Sequence, residues 1–233
     1  MKAFMSVCLA LVTVGLLGAT WPMTDTEGQE LPNTGKEEGL SGFLGTTSQV
    51  DEMDAVKTGA EGIRCNGKTH ATIPSAPFFS FVNSRGFTLS IDVKPIEELD
   101  EVSESVRYQI VTKGADSGRG SWELLYQRNT PAEPFQLVFY INPPEGKSLS
   151  LSAPCNIFPQ EWTRLTVTLD RKECKMYANG EEIGVSPCKM LPFFNKDPLK
   201  IGVYAFGDQM GFPAQFRNLV IEKEAIPPTP VNK

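Results

Sequence analysis

The sequence predicts an all-β fold, an antiparallel sandwich of two sheets around one shared core. Three observations predict it. Beyond residue 60, apolar residues recur with a period of two, the spacing that puts alternate side chains on one face of a strand. The alternating runs are short, and each closes on Gly, Pro, Asn or Asp, as hairpin-connected strands require. No stretch shows the 3.6-residue period of an amphipathic helix, and 20 Gly with 18 Pro in 233 residues favour turns over helical bundles. A content of 40% hydrophobic and 21% charged residues is that of a globular chain. The net charge of −6, with no basic cluster to offset it locally, excludes a phosphate-seeking nucleic-acid binder.

The chain opens with Met1-Lys2, a short positive start, followed by Ala3–Leu17, apolar apart from Ser6 and Thr13. Gly18-Ala19-Thr20 then supplies the small residues a signal peptidase needs, so residues 1–19 read as a signal peptide. The apolar run is shorter than the ~20 residues that span a bilayer. No other segment is apolar enough, so no permanent membrane span is expected, and the localisation is secreted, extracellular or periplasmic. Residues 20–59 are rich in Thr, Gly, Glu and Asp with single scattered apolar residues, and read as an acidic flexible linker. Within it, Leu31-Pro32-Asn33-Thr34-Gly35 matches a wall-sorting pattern that works near a C-terminus before an apolar span. Here it runs into Lys36-Glu37-Glu38 and reads as a chance match.

The folded domain is expected over 60–224. Phe87, Leu89, Ile91 and Val93 alternate with Thr88, Ser90 and Asp92 until Pro95 stops the run. Tyr108, Ile110 and Thr112 lead into Lys113-Gly114, and Trp122, Leu124 and Tyr126 alternate with Glu123, Leu125 and Gln127. Phe135, Leu137, Phe139 and Ile141 share one face of a strand that Asn142-Pro143-Pro144 ends. Leu165, Val167 and Leu169 alternate with Thr166 and Thr168 and close at Asp170-Arg171-Lys172. Met176 and Ala178 precede Asn179-Gly180, a two-residue hairpin signal because both positions accept positive φ. Leu199, Ile201 and Val203 follow, and Phe216–Ile221 is the last strand. Residues 225–233 form a Pro-rich tail, read as unstructured.

These segments, in this order, resemble the laminin-G-like, concanavalin-A-like jelly-roll family of lectins and glucanases. The resemblance rests on Gly62-Ile-Arg-Cys-Asn-Gly-Lys68, Phe87-Thr-Leu-Ser-Ile-Asp-Val-Lys-Pro95, Tyr108-Gln-Ile-Val-Thr-Lys-Gly114 and Trp122-Glu-Leu-Leu125. It continues through Trp162-Thr-Arg-Leu-Thr-Val-Thr-Leu-Asp170, Met176-Tyr-Ala-Asn-Gly180 and Pro198-Leu-Lys-Ile-Gly202. It implies a jelly roll with Trp122 and Trp162 in its core. In the family the last strand often reads Gly-x-Ile-Asp-Asp-Val, whose acids can bind a structural cation. Here Ala214-Gln215-Phe216-Arg217-Asn218-Leu219 stands in its place, and Arg217 repels calcium, which prefers carboxylates. No cofactor is expected. The residual calcium ligands are Asn218 and Asp208.

The glucanase relatives use paired carboxylates on one strand face, in an E-x-D motif with a further Glu two or three residues on. The nearest approach, Glu98-Leu-Asp100-Glu-Val-Ser-Glu104, has its last Glu one residue too far and reads as a solvated acidic loop. The single His70 has no supporting acid and nucleophile placed by any motif, and reads as a surface or turn residue. In an exported protein Cys65, Cys155, Cys174 and Cys188 are disulfide candidates with three possible pairings, which sequence alone does not choose among. The expected function is therefore a non-catalytic module that binds a glycan or an extracellular protein. The alternatives are a divergent glycosidase-like enzyme or a structural domain of an extracellular assembly. A sugar needs an aromatic platform with flanking amides or carboxylates. Gln136, Tyr140, Glu123, Gln127 and Tyr204 supply that mixture on one face. Arg119 in the loop Gly114–Ser121 and Asp208 in the loop Phe206–Pro213 complete the candidate set.

Overall fold

Alternating branched and aromatic residues form strands wherever the sequence predicts them from residue 87 onward. The computed structural model describes residues 18–24, 30–37, 39–46, 57–67, 69–96, 99, 105–114, 122–203 and 211–229. Its strands are β1 (Gly18–Trp21), β2 (Glu30–Leu31), β3 (Gly42–Thr46), β4 (Lys57–Gly59), β5 (Gly62–Asn66), β6 (Thr69–Ile73), β7 (Phe87–Pro95) and β8 (Val106–Lys113). They continue as β9 (Trp122–Arg128), β10 (Gln136–Ile141), β11 (Leu149–Pro154), β12 (Thr163–Leu169), β13 (Glu173–Ala178), β14 (Glu181–Pro187), β15 (Leu199–Ile201) and β16 (Pro213–Glu222). The helical content of the described residues is a 3-10 turn at Pro77–Phe79, which buries Phe78 and Phe79.

One sheet runs β14-β13-β12-β7-β16-β5-β4, with β1 also paired to β16, and the other runs β11-β10-β9-β8-β15-β6-β3-β2. Every pairing is antiparallel. Between the sheets, Phe87, Leu89, Ile91 and Val93 of β7 are fully buried, as are Trp122 and Leu124 of β9 and Leu137, Phe139 and Ile141 of β10. The Phe87 ring meets Trp122 edge-on at 5.3 Å and stacks on Phe139 at 6.1 Å. Each such burial contributes about 1.5–3 kcal/mol, which makes this layer the main source of stability. The Asn179-Gly180 turn has φ of 50° and 85°, the left-handed geometry its sequence predicts.

The first half of β16 pairs with β5 (Phe216 opposite Ile63) and its second half with β1 (Leu219 opposite Trp21). The changeover is a bulge between Arg217 and Val220, where Asn218 takes φ 53° and donates its N–H to Pro22 O.

Three expectations are corrected. Residues 20–59, read as a flexible linker, contribute strands β1 to β4, and Gly18 and Ala19, assigned to the leader, lie in β1 opposite Glu222 and Ile221. Trp21 is fully buried with Nε1 donating to Leu40 O at 2.7 Å, and Leu31 is buried beside it in the same core. The Leu31–Gly35 segment is a clasp, because Asn33 Oδ1 accepts from the N–H groups of Thr20 and Gly35, each at 2.9 Å. These strands escape the periodicity test because each is two to five residues long and brings at most two apolar anchors, none in β4. Residues 1–17 lie outside the described set.

The second concerns the tail, whose Ile226 is bonded to β7. Lys223 O accepts from Gly86 N, Glu224 O from Thr88 Oγ1 at 2.6 Å, and Ile226 N donates back to Thr88 Oγ1 at 2.8 Å. The third concerns two side chains. Trp162 is only half-buried, on the outer face of the first sheet, and His70 is buried on β6.

Candidate functional site

Register brings four of the predicted ligand residues onto one face. On the outer side of the second sheet, Tyr140 stands opposite Glu123 and Gln136 opposite Gln127, with Val138 and Leu125 buried between them. Glu123 is 3% exposed. Its two oxygens accept from Arg107 Nη2 at 3.3 Å and Gln109 Nε2 at 2.7 Å. The Arg107 guanidinium also lies 5.9 Å from the Tyr140 ring centre, and Gln136 Oε1 accepts from Ser152 Oγ. The centre of the face is therefore a knitted polar layer, and Glu123 orients Arg107.

The face opens at its end. A cavity of about 590 Å³ lies where β8 begins and β9 ends, lined by Ser105, Val106, Arg107, Tyr108, Gln127, Asn129 and Gly211. The polar side chains among its lining residues are one guanidinium, two primary amides and two hydroxyls, groups that donate and accept at several angles. Its wall is rigid, because Tyr108 stacks on Phe212 at 5.0 Å and on Phe135 at 6.3 Å. Phe135 in turn stacks on Tyr126 at 4.7 Å and carries the Arg128 guanidinium at 4.8 Å. The Tyr126 hydroxyl donates to Cys155 O and accepts from Ile157 N, and burial pushes its pKa far up. Behind this wall a smaller hollow of about 200 Å³ is lined by Leu99, Tyr126, Phe135, Asn156, Ile157, Phe158 and Pro159, with Phe158 55% exposed.

Of the predicted set, Gln127 lines the cavity, while Glu123, Gln136 and Tyr140 lie further along the same face. Arg119, Tyr204 and Asp208 lie outside the described residues. Sequence reasoning missed Arg107, Tyr108 and Asn129. Arg107 and Tyr108 occupy the first turn of alternation in β8, and Asn129 precedes Thr130-Pro131 at the end of β9, so their place at strand ends was the available signal.

The residual calcium ligand Asn218 does not fit a metal. Its Nδ2 donates to Asp92 Oδ2 at 2.8 Å, and the same carboxylate receives Arg164 Nη1 at 2.8 Å and Arg217 Nε at 3.3 Å. Two guanidinium groups thus supply the positive charge at this carboxylate. Among the described residues no cluster of three or more His, Cys, Asp or Glu forms. The disulfide candidates Cys65, Cys155, Cys174 and Cys188 are all buried, and their thiols are unbonded in this structure. They sit on β5, after β11, on β13 and after β14, packed into the core as small apolar residues. Burial pushes Cys65 up to about 12 and Cys155 up to about 11, which removes nucleophilic thiolate.

Among curated proteins no match is found. Solved structures of similar fold include the binding domain of Paraclostridial Mosquitocidal Protein 1, with TM-score 0.63 and 17% identity, where 91% of this chain aligns with 49% of that one. The receptor binding domain of botulinum neurotoxin C/D mosaic serotype aligns with TM-score 0.62 and 16% identity over 89% of this chain and 48% of that one. The botulinum neurotoxin serotype D ligand binding domain, solved in complex with N-acetylneuraminic acid, gives TM-score 0.60 and 15% identity over 89% and 47%. This chain spans about half the length of each, and identities this low show a shared fold. Residues 66–232 match the laminin G model of one superfamily. With that match over most of its length, and with two antiparallel sheets enclosing one core, the chain belongs to the Concanavalin A-like lectin/glucanases superfamily.

Proposed function

We propose that this chain is an exported, non-catalytic binding module that holds a glycan in the cavity where β8 begins and β9 ends. The observation that carries the reading is the combination of Arg107, Gln127 and Asn129 around one cavity of about 590 Å³. A sugar ring presents a rim of hydroxyls, and a guanidinium with two primary amides donates to it and accepts from it. The pairing of Arg107 with buried Glu123 fixes the guanidinium before a ligand arrives, which lowers the ordering cost of binding.

The acid–base arrangement supports binding over hydrolysis. Retaining glycosidases place two carboxyl groups about 5–5.5 Å apart. On the described β8–β11 part of this face Glu123 is the acidic side chain, and both its oxygens are already bonded. Export is read from the positive start Met1-Lys2 and the apolar run Ala3–Leu17 ahead of β1. A glycan array probed with the full chain tests the reading, with the Arg107→Ala/Gln127→Ala double variant beside it. The expected result is a defined set of bound glycans that the double variant loses. A blank array, or a binding pattern that the double variant keeps, rules the cavity out.

A further inference from the structure

Strand β1 begins among the residues that a secretion leader would discard. A signal peptidase reads small residues just before its cut, and Gly18, Ala19 and Thr20 each supply one. The fold uses all three. Gly18 O accepts from Lys36 N at 3.0 Å, Thr20 O accepts from Thr34 N at 2.8 Å, and Thr20 N donates to Asn33 Oδ1 at 2.9 Å. On its other side β1 pairs Gly18 with Glu222 and Ala19 with Ile221 of β16. Gly35 lies outside the leader, yet its fit depends on these residues. A Cβ at Gly35 would stand 2.7 Å from Ala19 Cα, Gly18 O and Thr20 N, so the atoms that require glycine there belong to β1.

A cut also creates a charge, because the new N-terminus is an α-ammonium, and burying one without a partner is costly. A cut after Gly18 puts that charge on Ala19 and a cut after Thr20 puts it on Trp21, both fully buried. A cut after Ala19 removes two of the four residue pairs that join β1 to β16. Each of these positions satisfies the peptidase at the expense of the strand.

Upstream the sequence offers another place. Thr13 and Gly15 are the nearest small residues, ahead of Gly18, at the third and first positions before a bond. The ten residues Ala3–Val12, apolar apart from Ser6, precede them. That length falls within the ~7–15 residues of a leader's apolar core. We propose that the leader is cut between Gly15 and Leu16, so that the exported chain begins at Leu16 and keeps β1 whole. The cut rests on the export proposed for this chain. Water hydrolyses the Gly15–Leu16 amide, leaving a carboxylate on Gly15 and the α-ammonium on Leu16, two residues before the strand.

The test is to express the full chain with its own leader in insect cells and to sequence the protein in the medium from its N-terminus. A start at Leu16 is expected. A start at Ala19, Thr20 or Trp21 overturns the site and leaves export intact, whereas a chain held in the cells with its leader uncut overturns both. Gly15→Leu, which puts a bulky residue before the bond, is expected to abolish the Leu16 start, and a variant still cut there contradicts the site. Chains made without a leader, one beginning at Leu16 and one at Trp21, isolate the part played by β1. The shorter chain is expected to melt about 5 °C or more below the longer, and equal melting overturns the claim that the fold excludes the later cuts. None of these outcomes depends on the ligand of the cavity at the β8–β9 end.

Discussion

The Arg217 guanidinium carbon lies 4.0 Å from the centre of the Trp162 ring, while its Nε reaches Asp92 Oδ2 at 3.3 Å. Lys94 approaches the same ring at 5.0 Å and pairs with Glu61 at 2.6 Å. Trp162 is thus a lid over the polar centre of the first sheet, and the stack shields the Asp92 carboxylate that Arg164 and Asn218 also bind. Arg217→Ala is expected to lower stability by about 1–2 kcal/mol, the stack and the ion pair together. Asp92→Ala costs more, about 2–3 kcal/mol, because it strands two guanidinium groups. Urea titrations of the two variants measure both. A loss below about 0.5 kcal/mol for each, the range of an ordinary surface substitution, contradicts the arrangement.

Trp21→Ala is expected to cost about 3–5 kcal/mol, as large aromatic truncations in a core do. The loss arises because Trp21 is fully buried and its Nε1 holds Leu40 O. Thermal unfolding reads the change. A variant that melts with the parent shows that residues 18–46 are dispensable to the fold.

Much of the fold was legible because period two and turn residues act locally. Strands β7, β9, β10, β12 and β16 follow their apolar alternation, and the β13–β14 hairpin follows Asn179-Gly180. Trp162 was misplaced although parity identifies it. Leu165, Val167 and Leu169 point inward, so even-numbered Trp162 falls outward with Arg164, Thr166 and Thr168. The bulge between Gln109 and Val111 had no local signature, and it turns Val111 to the core beside Ile110. Strand β1 and the tail depend on partners more than a hundred residues away, as Gly18 on Glu222 and Ile226 on Thr88, and periodicity carries no long-range information. The cavity at the β8–β9 end was half legible for the same reason. Gln127 belongs to a visible strand and Asn129 follows it, but Ser105 and Gly211 meet them only through the fold.

The four cysteines give a chemical prediction. Alkylation of native protein by iodoacetamide is expected to spare Cys65, Cys155, Cys174 and Cys188, which are all buried. In denaturant without reductant all four are expected to label. Peptide mass spectrometry distinguishes the outcomes, and labelling that requires prior reduction shows a disulfide.

Lys113 gives a pH prediction. Its ammonium donates to Asn195 Oδ1 at 2.6 Å, Asn195 O at 3.1 Å and Ser75 Oγ at 3.2 Å, and also to Asp197 O. Burial lowers its pKa from 10.5 to about 8, against the attraction of Asp197. Between those values the unfolded chain holds the proton and the folded chain does not, so stability rises with pH through about 8 to 10.5. Lys113→Met is expected to flatten that segment of the stability–pH curve. An equal rise in the variant assigns it to another group.

Calorimetry addresses the cavity at the β8–β9 end directly. Calorimetric titration of the full chain with the best-bound array glycan is compared across Arg107→Ala, Gln127→Ala and Glu222→Gln. The first two are each expected to weaken binding about tenfold or more, the cost of a lost hydrogen bond to a ligand in a desolvated site, and the third to leave it unchanged. Equal affinity in the parent and in both cavity variants contradicts the assignment.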